Sequence, residues 1–136
     1  MDTDTAATDD VEINRPDVIA AVTAAFERYE AALMSNDVAT LNALFWQDPS
    51  TVRFGVEGPA YGIDAIAAFR RGRDVSDLAR VLERVVITGF GDRFATALCA
   101  YRRTATGRVG WQSQSWVRMS DGWRIVAAHV SLGPAP

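Results

Sequence analysis

The chain has 136 residues, 49% of them hydrophobic and 23% charged, and a formal net charge of -3. That is one domain with a real core and too little chain for two. No apolar run approaches the roughly 20 residues needed to cross a bilayer, and no basic-then-apolar leader opens the chain, so a cytoplasmic protein is expected.

Residues 1–12 hold Asp2, Asp4, Asp9, Asp10 and Glu12 with no basic side chain, a charge of -5 that leaves +2 for the rest. This leader, rich in Thr, Ala and Asp, has no periodicity and reads as a disordered acidic arm, with a single folded domain over 13–136. All fourteen basic residues are arginine. Each cationic site is therefore a planar, permanently charged fork, suited to carboxylates and unable to serve as a titrating base. The small body charge and dispersed arginines speak against nucleic acid as a partner.

Asn14-Arg15-Pro16-Asp17 reads as a helix start. Val18, Val22, Ala25, Phe26, Tyr29, Ala32 and Leu33 then recur at three and four residues, predicting an amphipathic helix that ends near Ser35-Asn36. Asp37 caps a second, short helix carrying Val38, Leu41, Leu44 and Phe45. An irregular segment and short strand follow over 46–55, then a third helix over 62–71.

The second half changes period. Leu82–Phe90, Phe94–Arg103, Arg108–Met119 and Trp123–Leu132 are four strand-length runs, and Asp121-Gly122 is a hairpin signal. Helices followed by an antiparallel meander predict an α+β fold, with the helices packed on one face of a curved sheet.

No standard catalytic or phosphate-binding signature is present. One histidine, His129, and one cysteine, Cys99, exclude the usual zinc sites in practice, and no metal or cofactor is expected. Cys99 lies in an apolar run without a basic neighbour and reads as buried and inert.

Three sets of polar residues stand where apolar ones are expected. Tyr29 lies on the buried stripe of the first helix, where its hydroxyl needs a partner. Arg53 lies inside Thr-Val-Arg-Phe, either on the solvent side or awaiting a carboxylate. Trp111-Gln-Ser-Gln-Ser-Trp116 is a strand rich in amides. In the last strand, Ile125, Ala127, His129 and Ser131 share one face by the two-residue period. A two-residue Asp121-Gly122 turn would set Gln114 opposite His129 and Gln112 opposite Ser131. A three-residue turn with a bulge would set Ser113 opposite His129 instead. The first register is the expectation. Together these features describe a cavity with the Tyr29 phenol, the Arg53 guanidinium, the Gln114 amide, the His129 imidazole and the Ser131 hydroxyl, lined by Trp46, Trp111 or Trp116, a combination that suits a small planar anion. Each feature also has a plain structural reading: a packed tyrosine, an exposed arginine, solvated glutamines, a core histidine. Asp64 and Glu57 are the nearest candidate bases, in turn or cap positions. A second arginine, Arg70, Arg71 or Arg118, is left open.

The order of elements, ending in Gly122-Trp-Arg-Ile-Val-Ala-Ala-His-Val-Ser131, resembles the cone-shaped nuclear-transport-factor-2-like (SnoaL-like) superfamily. Four segments resemble a narrower group within it, the AtzH-like (HpxZ-like) proteins. They are Ala25-Phe-Glu-Arg-Tyr29-Glu-Ala-Ala-Leu, Leu44-Phe-Trp-Gln-Asp-Pro-Ser-Thr-Val-Arg53-Phe-Gly, Tyr61-Gly-Ile-Asp-Ala-Ile-Ala-Ala-Phe-Arg70 and Gln112-Ser-Gln-Ser-Trp-Val-Arg. The resemblance implies catabolism of small carboxylated ureas or oxalurate-type ureido acids, near amidase-signature enzymes. It implies Tyr29 and Arg53 as the active-site pair and a homodimer through the outer sheet face. Two classes of function stay open: a cofactor-independent amidohydrolase, or a non-catalytic binding or accessory partner of an amidase. A third, isomerisation or dehydration, would need His129 as its base.

Overall fold

The structure, a computed structural model, describes residues 10–136. Most of the acidic leader therefore lies outside the described residues. From Glu12 onward the chain is tied to the sheet. The Gly91 N–H donates to the Glu12 carbonyl, and Asn14 exchanges hydrogen bonds with the Gly89 backbone.

Helix α1 (Pro16–Ser35) begins as the sequence predicts, with Pro16 in its first turn and Asp17 near the positive end of the helix dipole. Its buried stripe is the expected one, from Val18 to Leu33 with Tyr29 included. The helix ends where Asn36 turns left-handed (φ 48°, ψ 47°), letting the Asn36 and Asp37 N–H groups reach back to the Leu33 and Ala32 carbonyls. Asp37 then caps α2 (Val38–Ala43), accepting from the Thr40 backbone N–H at 3.2 Å and its hydroxyl at 2.7 Å. Those bonds hold the Asp37 carboxyl below its usual range, so the cap acts above the ordinary carboxylate pKa and is lost as acid protonates it. Asp37→Ala is expected to lower the urea midpoint slightly without changing the slope, as read by equilibrium unfolding.

Strands β1 (Val52–Gly55) and β2 (Gly58–Tyr61) form a hairpin, and α3 (Ile63–Gly72) follows. The long strands are β3 (Arg80–Phe90), β4 (Phe94–Arg103), β5 (Val109–Met119) and β6 (Gly122–Leu132). All join in one curved six-stranded sheet of order β2-β1-β6-β5-β4-β3 that does not close on itself. The meander is antiparallel as expected, while β1 runs parallel to β6. The predicted elements do not include β2. Its Gly-Pro-Ala-Tyr sequence has little strand character, and only an edge position tolerates the proline.

Helix α1 packs on the inner face of the sheet, where Ala95, Ala97 and Cys99 of β4 are small enough to admit it. Leu41, Leu44, Phe45, Ile66, Trp116 and Ile125 complete the core. Cys99 is buried, and that burial pushes its thiol up to about 11, in keeping with an unreactive side chain.

The register of the β5–β6 hairpin differs from the expected one. Met119 pairs with Gly122, so the turn is Ser120-Asp121, and a bulge lies beyond the Trp116–Ile125 pair. Val126 is the extra residue; past it Ser115 pairs with Ala127, Gln114 with Ala128 and Ser113 with His129. A bulge exchanges the two faces of a strand. Trp123 and Ile125 point inward before it, and Ala128 and Val130 pack on the inner side after it.

Candidate active site

The inner face of the sheet, α1 and the chain after α3 enclose a cavity of about 180 Å³, below the size of most drug-sized ligand sites. Tyr29 enters it from α1, Arg53 from β1, Arg80 from β3, and Gln112 and Val130 from β5 and β6. Arg73 borders it just past the end of α3. The two residues expected to form the reactive pair thus share one cavity.

Local sequence explains how each arginine is held. Arg53 faces inward from β1 opposite Ala60 and Ala128, two small neighbours. A Cβ at Gly55 would stand 2.3 Å from Arg53 Nη1, so the glycine two residues on leaves room for the guanidinium to lie along the strand. Phe69 supports it from α3, with its ring centre 4.6 Å from Arg53 and 5.3 Å from Arg73. Arg73 also donates to the Asn36 side chain at 3.2 Å. Arg70 lies behind this layer, 1% exposed, against the Phe45 ring at 4.3 Å and donating to Asn42 Oδ1 at 2.9 Å.

Charge at this site is unbalanced. Arg80 is paired, its guanidinium hydrogen-bonded to both Glu30 oxygens. Burial works against the Arg80 charge, but Glu30 outweighs it and the net shift is upward. Among the described residues, none of Arg53, Arg70 and Arg73 has a carboxylate within salt-bridge distance. Burial lowers Arg70 to about 10; Tyr29 beside it favours its charge, while Arg53 and Arg73 oppose it. Arg73 is lowered for the same reason, burial first. Glu57 and Asp74 are exposed at the rim, and Asp77 is paired with Arg103 at 3.3 Å. The buried side-chain atoms without a partner among the described residues are Arg70 Nη2, Gln112 Nε2 and Gln114 Nε2. All three are donors, and of these residues only Gln112 lines the cavity, so what that amide lacks is an acceptor.

The other expected site residues are placed differently. The bulge at Val126 turns His129 and Ser131 to the outer face, beside Ser113 and Trp111, which corrects the expected pocket on two counts. There His129 sits edge-on to Phe54 at 5.8 Å, across the sheet from Tyr29 and Arg53. Gln114 faces inward but is 1% exposed and outside the cavity lining; its Oε1 accepts from the Trp116 indole at 3.1 Å. Trp116 is wholly buried in the core, so it supports Gln114 and does not wall the cavity. Trp46 is half-buried and pairs its backbone with Ile125, also away from the cavity.

Arg73 and Arg80 were not among the expected site residues, while Arg70 was one of three arginines left open and Gln112 was expected on the pocket face without a role of its own. A signal for Arg70 exists: it lies four residues after Ile66 and so on the buried side of α3. Arg80 carries none, because the register shift between Leu82 and Arg84 breaks the alternation that would mark it as inward-facing. No group of three or more His, Cys, Asp or Glu among the described residues could hold a metal ion, and no helix there is long and apolar enough to cross a membrane.

Helices laid on a curved, open sheet around an interior polar cavity define the nuclear-transport-factor-2-like, or cystatin-like, fold. A superfamily protein from Salmonella enterica shares it, with 26% identity over 89% of this chain and 94% of its own, and a TM-score of 0.69. The chain belongs to the AtzH-like family, whose profile matches residues 11–135. A protein of unknown function from Pectobacterium atrosepticum is 52% identical over 90% of this chain and 95% of its own, with a TM-score of 0.86. A cystatin-like fold protein from Burkholderia xenovorans is 47% identical over 93% and 99%, with a TM-score of 0.87. No curated protein matches the chain.

Proposed function

We propose that this protein is a cofactor-independent hydrolase that cleaves a C–N bond in a small carboxylated urea or ureido acid, working as a cytoplasmic homodimer. One observation carries the reading. Among the described residues, Arg53 and Arg73 line the cavity beside a buried phenol without a carboxylate partner, Arg70 lies behind them likewise, and the orphaned atom of a lining residue, Gln112 Nε2, is a donor. Such a site is complementary to a carboxylate and a carbonyl oxygen.

In this mechanism Arg53 clamps the carboxylate and stabilises negative charge as water adds to the urea carbonyl. The C–N bond then breaks, and the departing nitrogen takes the Tyr29 proton. The phenolate left behind recovers a proton from the added water, so the enzyme ends as it began. Arg70, beside Tyr29, faces the negative charge while it lasts.

A second reading rests on the carboxylates. Glu30 is held by Arg80 and Asp77 by Arg103, so neither is free to activate water. On that reading the cavity binds the ureido acid on behalf of a neighbouring amidase. The homodimer draws on the outer face of the sheet, where Val86, Leu98 and Trp111 are exposed.

The deciding experiment measures ammonia and CO₂ release from a panel of carboxylated ureas, with isothermal titration of the same compounds. Arg53→Met is expected to weaken binding roughly ten- to hundredfold, the worth of a charged hydrogen-bonded pair. Turnover lost in the variant supports the hydrolase. Binding without turnover, dependent on Arg53, supports the accessory role.

A further inference from the structure

Gln112 is the cavity-lining residue whose buried side-chain nitrogen has no partner among the described residues, while its oxygen is held by a fixed one. Its Oε1 accepts from Arg80 Nη2 at 3.0 Å. Arg80 is in turn immobilised, its Nε donating to Glu30 Oε2 at 3.2 Å and its guanidinium lying 4.4 Å over the Tyr101 ring. That ring is itself pinned, because the Tyr101 hydroxyl donates to the Ser131 carbonyl at 3.0 Å. Its path crosses Gly110, where a Cβ would stand 2.3 Å from the ring.

This chain of contacts decides which way the amide faces. Reversing Gln112 would set its N–H groups against the Arg80 N–H groups, donor against donor. Arg80 therefore holds the oxygen, and Nε2 is left buried without an acceptor in a residue that lines the cavity. A buried, unpartnered amide N–H is costly in the empty protein and becomes an asset once a ligand oxygen meets it. An amide is also neutral. It suits an uncharged carbonyl, where a further guanidinium would add to a charge already in excess.

We propose that Gln112 determines specificity for the ureido group: its Nε2 donates to the urea carbonyl oxygen, and Glu30 and Arg80 are the positioning residues that aim it. This rests on the ureido-acid reading above and extends it, assigning the carboxylate to Arg53 and the carbonyl to Gln112. A ligand presenting only a donor or a methyl group at that point leaves Nε2 unpaired and is disfavoured.

The test compares two probes of similar shape by isothermal titration: N-carbamoylglycine, which has the carbonyl, and 4-methylpentanoate, which keeps the carboxylate and lacks it. Wild-type protein should prefer N-carbamoylglycine. Gln112→Met should reduce that preference about tenfold by removing one hydrogen bond from a buried site, with 4-methylpentanoate bound as before. Gln112→Glu retains an acceptor for Arg80 and so guards against misfolding. Its added charge weakens both carboxylate probes alike, and the ratio between them should still fall. A preference that survives in the variants overturns the inference, as does an equal loss for both probes, which would mark Gln112 as a purely structural support. If wild-type protein binds neither probe, the ureido-acid reading falls with it, an outcome distinct from those two.

Discussion

Tyr29→Phe is expected to reduce turnover of a carboxylated urea by about 10²–10⁴-fold, the usual worth of a positioned general acid, while affinity stays within a few-fold. The ring is not what chemistry needs. It is 3% exposed and packs 6.4 Å from the Phe45 ring, and phenylalanine fills the same volume. What disappears is the proton for the leaving nitrogen and the oxygen beside Arg70. Arg53→Met should show the opposite pattern, losing affinity before rate. Steady-state ammonia release combined with titration separates the two. Unchanged turnover in a folded Tyr29→Phe protein would remove Tyr29 from the mechanism and leave its place in the core as its whole role.

Arg70→Met is expected to make the empty protein more stable and the ligand-binding one worse. A guanidinium lowered to about 10 by burial is held against its charge by roughly 3 kcal/mol at neutral pH. The sign follows from linkage. The folded value lies below the ordinary arginine value, so the unfolded chain binds the proton more tightly. Stability therefore rises as pH climbs through about 10, and at neutral pH the full cost applies. Methionine removes that cost and fills similar volume, while giving up the bond to Asn42 and the contact with Phe45. A net gain of about 1 kcal/mol would raise Tm by roughly 3–6 °C in a domain of this length. Calorimetry with and without N-carbamoylglycine checks both halves: wild-type protein should be stabilised by the ligand and the variant much less. A Tm that falls by many degrees in Arg70→Met would show instead that Arg70 is a structural tether. Stability surrendered at a preorganised charged site is a common cost of function.

Much of this molecule is legible in its sequence, for reasons that can be named. The helical stripe from Val18 to Leu33 repeats without interruption, so both the helix and the inward direction of Tyr29 follow from it. Asp37 announces its helix because a carboxylate there has a specific task, and Asp121-Gly122 marks a hairpin because the glycine takes a positive φ of 126°. Arg53 stands out because a charged residue in a short strand needs a reason. Gln112 is harder. The amide-rich run is visible, but the choice between Gln112 and Gln114 depends on which of the two lines the cavity.

The reading of β6 fails at one residue. Alternation identifies a face only while the strand is regular, and the bulge at Val126 exchanges the faces halfway along. His129 and Ser131 go outward for that reason alone, although they share parity with the buried Ile125. A bulge is stabilised by the neighbouring strand and the packing beneath it, so nothing in Arg-Ile-Val-Ala-Ala-His declares it. The register shift between Leu82 and Arg84 hides Arg80 in the same way.

Sequence alone determined the helices, the meander, the family and the inward direction of Tyr29, because local periodicity and short motifs carry those properties within a single segment; Tyr29 and Arg53 as a pair followed from the family resemblance. Tertiary structure alone decided that Arg70, Arg73 and Arg80 converge on the phenol, that Glu30 neutralises only the last of them, and that Gln112 is turned by Arg80 to present its N–H. Those facts depend on contacts between residues as far apart as Glu30, Arg80 and Gln112, and on bulges that set which face each strand offers. Such contacts leave no trace in the order of residues along any one element.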